Sequence, residues 1–148
     1  MHKVKIQLIN ERPFAKMPER ATKDASGLDA YASEIEIRSD ELIIYKLGFK
    51  TEMPPHIEGL IMARSGLTNH PFVIPNGVGL VDSDYRGEWQ FRIRCLRDET
   101  GDIRIPYDIG ERCCQIKLQE KFMPELEQVE DLSDTERGEG GFGHTKNK

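Results

Sequence analysis

"EWQFRIRC", residues 88–95, alternates without a break, with Trp89, Phe91, Ile93 and Cys95 on one side and Gln90, Arg92 and Arg94 on the other. A period of two is the signature of a strand with one buried face. "CCQIKLQ", 113–119, repeats the pattern, setting Cys114, Ile116 and Leu118 against Gln115, Lys117 and Gln119. Further strands are predicted in "EIEIRS" (34–39), "LIIYKLGFKTEM" (42–53), "HIEGLIMARSG" (56–66) and "HPFVIPNGVGLVD" (70–82), which are rich in isoleucine and aromatics. Turn signals fall between them at Pro54-Pro55, Asn76-Gly77, Gly101-Asp102 and Gly110. Helical periodicity is weak; "RSGLTNH" (64–70) holds at most a turn or two, opened by Ser65 as a cap. Many short strands with regular turns predict an all-β sandwich or jelly roll.

The 148 residues are enough for one domain with a hydrophobic core. The formal net charge of -5 and the lack of a basic stripe argue against a nucleic-acid partner, though not against a small anion held by a few arginines. No segment approaches the roughly 18 apolar residues that span a bilayer. "MHKVKIQLIN" has too short and too charged an apolar run for a signal peptide. Cys95, Cys113 and Cys114 are odd in number and show no CxxC spacing. They point to reduced thiols in the cytoplasm rather than a disulfide framework or a zinc site. His2, His56 and His70 are isolated and are expected at the surface or in turns.

Residues 131–148, "DLSDTERGEGGFGHTKNK", are polar and glycine-rich, a mobile tail following a domain of residues 1–130. From Gly138 the tail nearly matches a P-loop, but His144 replaces the lysine and no helix can follow. The closely spaced glycines still let backbone N–H groups converge on phosphate, with Arg137 adding charge, Thr145 a hydroxyl and Phe142 a ring to stack on a base. The competing reading is a flexible linker.

In "ARSGL", 63–67, Arg64 and Ser65 stand where a strand gives way to a helical start, which suits phosphate or is simply an N-cap. "PNGVGLVDSDYRGEW", 75–89, puts a tight turn, plausibly a hairpin, at Asn76-Gly77 and runs an apolar strand into Asp82, with Asp84, Tyr85, Arg86 and Glu88 close behind. Asp82 is a candidate general base; the alternative is a solvated surface turn. Asp29, in "SGLDAYA" (26–32), suits pairing with an arginine or holding a metal-bound water.

Together these stretches resemble the five motifs of the trimeric dUTPase family, the deoxyuridine triphosphate nucleotidohydrolases. "SGLDAYA" resembles the first, "ARSGL" the second, "NGVGLVDSDYRGE" the third, "GERCCQ" the fourth and "RGEGGFGHT" the fifth, spanning residues 26 to 145. The resemblance implies a jelly-roll-like, distorted-barrel β domain, assembled as a homotrimer whose C-terminal tail is swapped onto a neighbour. It implies hydrolysis of dUTP to dUMP and pyrophosphate, with Mg2+ on the triphosphate, removing dUTP and supplying dUMP for dTMP synthesis. Asp82 would activate the water that attacks the α-phosphorus, and Tyr85 would lie under the deoxyribose where a 2′-hydroxyl would clash. Asn76 would belong to the uracil pocket, with Gly79 also binding substrate, Arg64, Ser65 and Gly66 would take phosphate positions, and Gln115 would lie near the α-phosphate. In the tail, Arg137 would meet the γ-phosphate and Phe142 stack on uracil, with Gly143, His144 and Thr145 beside the phosphates. Asp29 would act indirectly, structurally or through metal-bound water. Departures from the family pattern are Ala63 for a proline, Thr68 for an alanine, the Cys113-Cys114 pair, His144 for a serine and Lys146 for a glycine. Two rivals remain: a dCTP deaminase, which shares the fold and would use a glutamate such as Glu88, and a non-catalytic interaction protein on the same trimer.

Overall fold

The computed structural model describes residues 3–38, 41–95 and 105–141. Trp89, Phe91, Ile93 and Cys95 all face a single core, each 5% exposed or less, so the alternation that predicted the fold is the alternation that builds it. Ten strands are present among the described residues: β1 (Lys5–Leu8), β2 (Leu28–Tyr31), β3 (Glu34–Ile37), β4 (Leu42–Lys46), β5 (Phe49–Glu52), β6 (Ile57–Ala63), β7 (Phe72–Val73), β8 (Gly79–Val81), β9 (Gln90–Cys95) and β10 (Arg112–Glu120). They form two four-stranded sheets, β2-β10-β6-β8 and β3-β4-β9-β7, with β1-β5 as a separate pair, and every pairing is antiparallel. The core joins both sheets, Ile61, Val81 and Ile116 from one meeting Tyr45, Phe91 and Ile93 from the other. This is the double-sheet arrangement of a jelly roll. No helix among the described residues is long and apolar enough to cross a membrane.

Two predicted strands divide. "LIIYKLGFKTEM" splits into β4 and β5, because Gly48 adopts a positive φ of 73° and turns the chain from one sheet to the β1-β5 pair. "HPFVIPNGVGLVD" splits into β7 and β8, which join different sheets. The tight turn is present, with the Gly77 N–H donating to the Ile74 carbonyl at 3.0 Å and Gly77 at φ 69°. The hairpin is not: the flanking strands never pair, and Pro75 has no N–H to give a ladder, so the turn is a corner between sheets. The expected turn at Gly101-Asp102 lies outside the described residues.

β1 and β2 were not predicted as strands, although Ile6 and Leu28 pack against the core from them. The short helical stretch is a 3-10 turn, Ser65–Asn69, and its cap residue is Arg64 rather than Ser65, with no side-chain cap bond. The Thr68 hydroxyl instead donates to the Ser65 carbonyl at 2.6 Å. So brief a turn has little dipole, and the phosphate argument from a helix start falls away.

Cys113 and Cys114 are both fully buried and pack in the core. The β10–β2 register shifts between Arg112 and Cys114, and this irregularity breaks the period of two. All three cysteines are buried thiols outside any disulfide, and burial pushes the Cys114 thiol well up. His56 and His70 are exposed as expected, and His2 lies outside the described residues.

Beyond β10 the Lys121 N–H still donates to the His56 carbonyl at 2.9 Å. From Phe122 to Glu139 every residue is exposed, with no strand or helix. The exposed tail therefore begins ahead of the Asp131 boundary read from composition.

Candidate active site

β8 pairs with β6, Gly59 opposite Val81 and Ile61 opposite Gly79, and delivers Asp82 to the strand's end. Asp82, Asn76, Gly79 and Tyr85 line one cavity of about 290 Å³, together with Ile61, Leu80, Trp89 and, from β9, Gln90, Phe91 and Arg92. Asn76 is fixed locally, its side-chain amide donating to the Val78 carbonyl at 3.4 Å. The Tyr85 hydroxyl donates to the Glu88 carbonyl at 3.2 Å. A Cβ at Gly87 would overlap the Tyr85 ring, so glycine is what lets the ring lie on the backbone there. Beneath the cavity Trp89 crosses Gly59, where a Cβ would overlap the indole, and its Nε1–H donates to the Thr51 hydroxyl at 3.1 Å.

The edge of β9 matters as much as its faces. Trp89 directs its backbone toward β4 and β5: its carbonyl accepts from Leu47 N–H and its own N–H donates to the Phe49 carbonyl, both at 3.0 Å. In an antiparallel ladder the backbone groups of successive residues turn to opposite edges. Those of Gln90 and Arg92 therefore turn away from β4, on the edge where β7 pairs only with Arg94 and Cys95. This places backbone donors and acceptors at the cavity wall, where a flat polar ring can pair with them.

A second cluster lies where β2, β10 and β6 meet. Asp29 Oδ1 accepts from Arg64 Nε at 3.0 Å and Oδ2 from Arg112 Nη1 at 3.1 Å, and the Asp29 side chain is only 12% exposed. Arg64 Nη1 also donates to the Arg112 carbonyl at 3.3 Å. Gln115, opposite both Asp29 and Met62, donates from Nε2 to the Ala63 carbonyl at 2.9 Å. Of the two roles expected of Asp29, these contacts support the structural one, since each carboxylate oxygen already receives a guanidinium N–H. Arg112 was not singled out in the sequence; the irregular register that buries both neighbouring cysteines hides it from an alternation argument.

The two clusters do not merge within one chain: none of Asp29, Arg64, Ser65, Gly66 and Gln115 lines the cavity that holds Asp82. Ser65 and Gly66 are exposed beside Arg64. In the tail, Arg137 Nε donates to the Gly140 carbonyl at 2.7 Å, and Gly138 takes a positive φ of 52°. Phe142, Gly143, His144 and Thr145 lie outside the described residues. Among the described residues no group of three or more His, Cys, Asp and Glu side chains is placed to hold a metal ion.

Glu88, the residue a deaminase would need, also lines this cavity, but its carboxylate is already engaged. Its carboxylate accepts from Arg12 Nε at 3.3 Å and Nη2 at 3.2 Å, and from the Gly48 N–H at 3.0 Å. Arg12 also donates to Glu34, and these carboxylates raise the guanidinium's affinity for its proton, the Glu88 hydrogen bond most of all.

The profile of the dUTPase family matches residues 14–146. The chain belongs to the dUTPase family. The deoxyuridine 5'-triphosphate nucleotidohydrolase of Caldanaerobacter subterraneus subsp. tengcongensis is 34% identical over 146 residues, 96% of each chain. That of Helicobacter pylori strain Shi470 is 36% identical over 145 residues, 97% of this chain and 96% of its own. Among solved structures, the dUTPase of Staphylococcus bacteriophage 80alpha with dUPNHPP superposes with a TM-score of 0.80 at 26% identity, covering 98% of this chain and 99% of that one. Family membership agrees with the cavity, where Asp82, Tyr85, Asn76 and Gly79 of the third motif converge.

Proposed function

We propose that the chain is a dUTP diphosphatase, hydrolysing dUTP to dUMP and pyrophosphate. The observation that carries this reading is the single cavity shared by Asp82, Tyr85, Asn76 and Gly79. Uracil enters between the Asn76 corner and the β9 edge, and pairs with backbone groups of both. The Tyr85 ring lies under the deoxyribose, leaving no room for a 2′-hydroxyl.

Asp82 accepts a proton from water as the water oxygen attacks the α-phosphorus. The bond from that phosphorus to the bridging oxygen of the β-phosphate breaks opposite, and pyrophosphate leaves with the bonding pair. A positioned base contributes about 10²–10⁴ in rate; orientation and charge on the phosphates supply the remainder. Arg64, with Ser65 and Gly66, meets the phosphates, and Gln115 lies near the α-phosphate. Arg137 reaches the γ-phosphate, Phe142 covers the base, and Gly143, His144 and Thr145 approach the phosphates by backbone or side chain.

Magnesium keeps most of its shell as phosphate oxygen and water. The residues present fit an ion carried in on the triphosphate, since among the described residues no carboxylate cluster offers a cage and Asp29 is held by two arginines. Such an ion would neutralise charge on the phosphates.

The separation of the Asp82 cavity from the Arg64 cluster supports sites shared between chains of a homotrimer, with the tail of one chain closing the site of a neighbour. The buried cysteines, outside any disulfide, suit a reducing compartment such as the cytoplasm. Pyrophosphate release from dUTP, compared between wild type and Asp82→Asn, tests the reading. Wild type should turn over and the variant should lose about 10²-fold or more; a wild type that releases ammonia from dCTP and no pyrophosphate from dUTP would overturn it.

A further inference from the structure

Glu88, just ahead of β9, presents its side chain and its carbonyl to different partners. Trp89 points into the core, and the Glu88 carboxylate, on the other side, is gripped by the Arg12 guanidinium and by the Gly48 N–H. The Glu88 carbonyl holds the Tyr85 hydroxyl. Tyr85 is otherwise 44% exposed, and its ring lies over Gly87, where no side chain limits how far it settles. Among the described residues, the carbonyl of Glu88 is thus the polar stop that hydrogen bonding gives the ring. Arg12 is itself fixed, its N–H donating to the Ile9 carbonyl and its carbonyl accepting from Ala15, while Glu34 takes another guanidinium N–H. The Arg12 and Glu88 side chains are 23% and 14% exposed, so solvent does not readily replace either partner.

We propose that Arg12 is a positioning residue for Tyr85: acting through Glu88, it sets how closely the tyrosine ring approaches the sugar, and so how strongly a ribonucleotide is refused. The inference rests on the dUTP reading above, which places the sugar on that ring. Releasing Arg12 frees the Glu88 side chain, lets residues 85–88 relax, and opens room for a 2′-hydroxyl. Selection against ribose then falls while the groups that meet the phosphates are untouched.

The test is calorimetric binding of the α,β-imido analogues of dUTP and UTP to full-length wild type, Arg12→Ala, Arg12→Lys and Glu88→Gln, with thermal melts of each and pyrophosphate release from dUTP in parallel. The preference for the deoxy analogue should fall by about tenfold in Arg12→Ala, with Arg12→Lys restoring part of it. Glu88→Gln, which keeps an acceptor for the Gly48 N–H but lacks the charge Arg12 holds, should lose a similar share. If folded variants lose affinity for both analogues in parallel, with the preference unchanged, the residues are merely structural and the proposal is overturned. Should Arg12→Ala lack a cooperative melt, the lysine and glutamine variants decide by the same criterion. A wild type that prefers the deoxy analogue yet releases no pyrophosphate overturns hydrolysis alone; a wild type without that preference overturns the clasp.

Discussion

Asp29 holds Arg64 by its Nε, 3.0 Å from Oδ1, and so fixes the plane of the guanidinium while using only one of its five N–H donors. With another donor on the Arg112 carbonyl, the remainder have a defined direction. The carboxylate is an orienting group, and its loss should weaken substrate binding before it slows chemistry. Asp29→Asn should raise KM for dUTP by about tenfold, equivalent to ~1.4 kcal/mol, with a smaller change in kcat. Steady-state kinetics separates the two, and a fall in kcat at constant KM would assign Asp29 to the chemical step instead.

The exposed tail is expected to act only in turnover. Since every residue from Phe122 to Glu139 is exposed, no described residue from Arg137 onward belongs to the core. The truncated protein should melt at the wild-type temperature and keep its oligomeric state in sedimentation, yet lose most dUTP hydrolysis, as a missing lid would. Full activity after truncation would remove the lid assignment.

Gly59 is required by the Trp89 ring that crosses it. Gly59→Ala would force the fully buried indole against its neighbours, and overpacking of this kind costs roughly 1–3 kcal/mol. A urea titration should show a lower midpoint with an unchanged slope. An unaltered midpoint would mean that the tryptophan has room to move.

Acid should loosen the Glu34 network. The hydrogen bond from Lys46 holds the Glu34 carboxyl below its ordinary value of 4.5, against desolvation and with help from Arg12. A depressed folded-state value means that the stabilisation is fully present above the ordinary value and is lost as pH falls through the depressed one. The melting temperature of wild type should therefore drop more steeply below pH 4.5 than that of Glu34→Gln, which has no proton to gain. Parallel curves would show that the pair contributes nothing to acid stability.

Much of this was legible in the chain. Strand periodicity located the core faces of β9 and the later part of β10, because a half-buried strand writes its two faces as two residue classes. It failed where backbone geometry intervenes, at Gly48, where a continuous apolar run changes sheets. The motif residues Asp82, Tyr85, Asn76 and Gly79 were nameable from their resemblance to the family's third motif, and they do share a cavity. Arg12 and Arg112 were not, since each meets its carboxylate partner across a separation of 76 or 83 residues. Only the fold puts them within reach.

Gly48 lets the chain leave one sheet for the next pair, and its N–H is one of the holds on Glu88. A side chain there would be strained by the positive φ and would collide with Ala15 and Ser33. The position is therefore constrained twice over, by architecture and by the support of Tyr85. A lineage drifting toward a different crossover at this point would also be retuning which sugars its cavity admits, so the evolution of shape and of substrate choice is linked through one residue that has no side chain to mutate gradually.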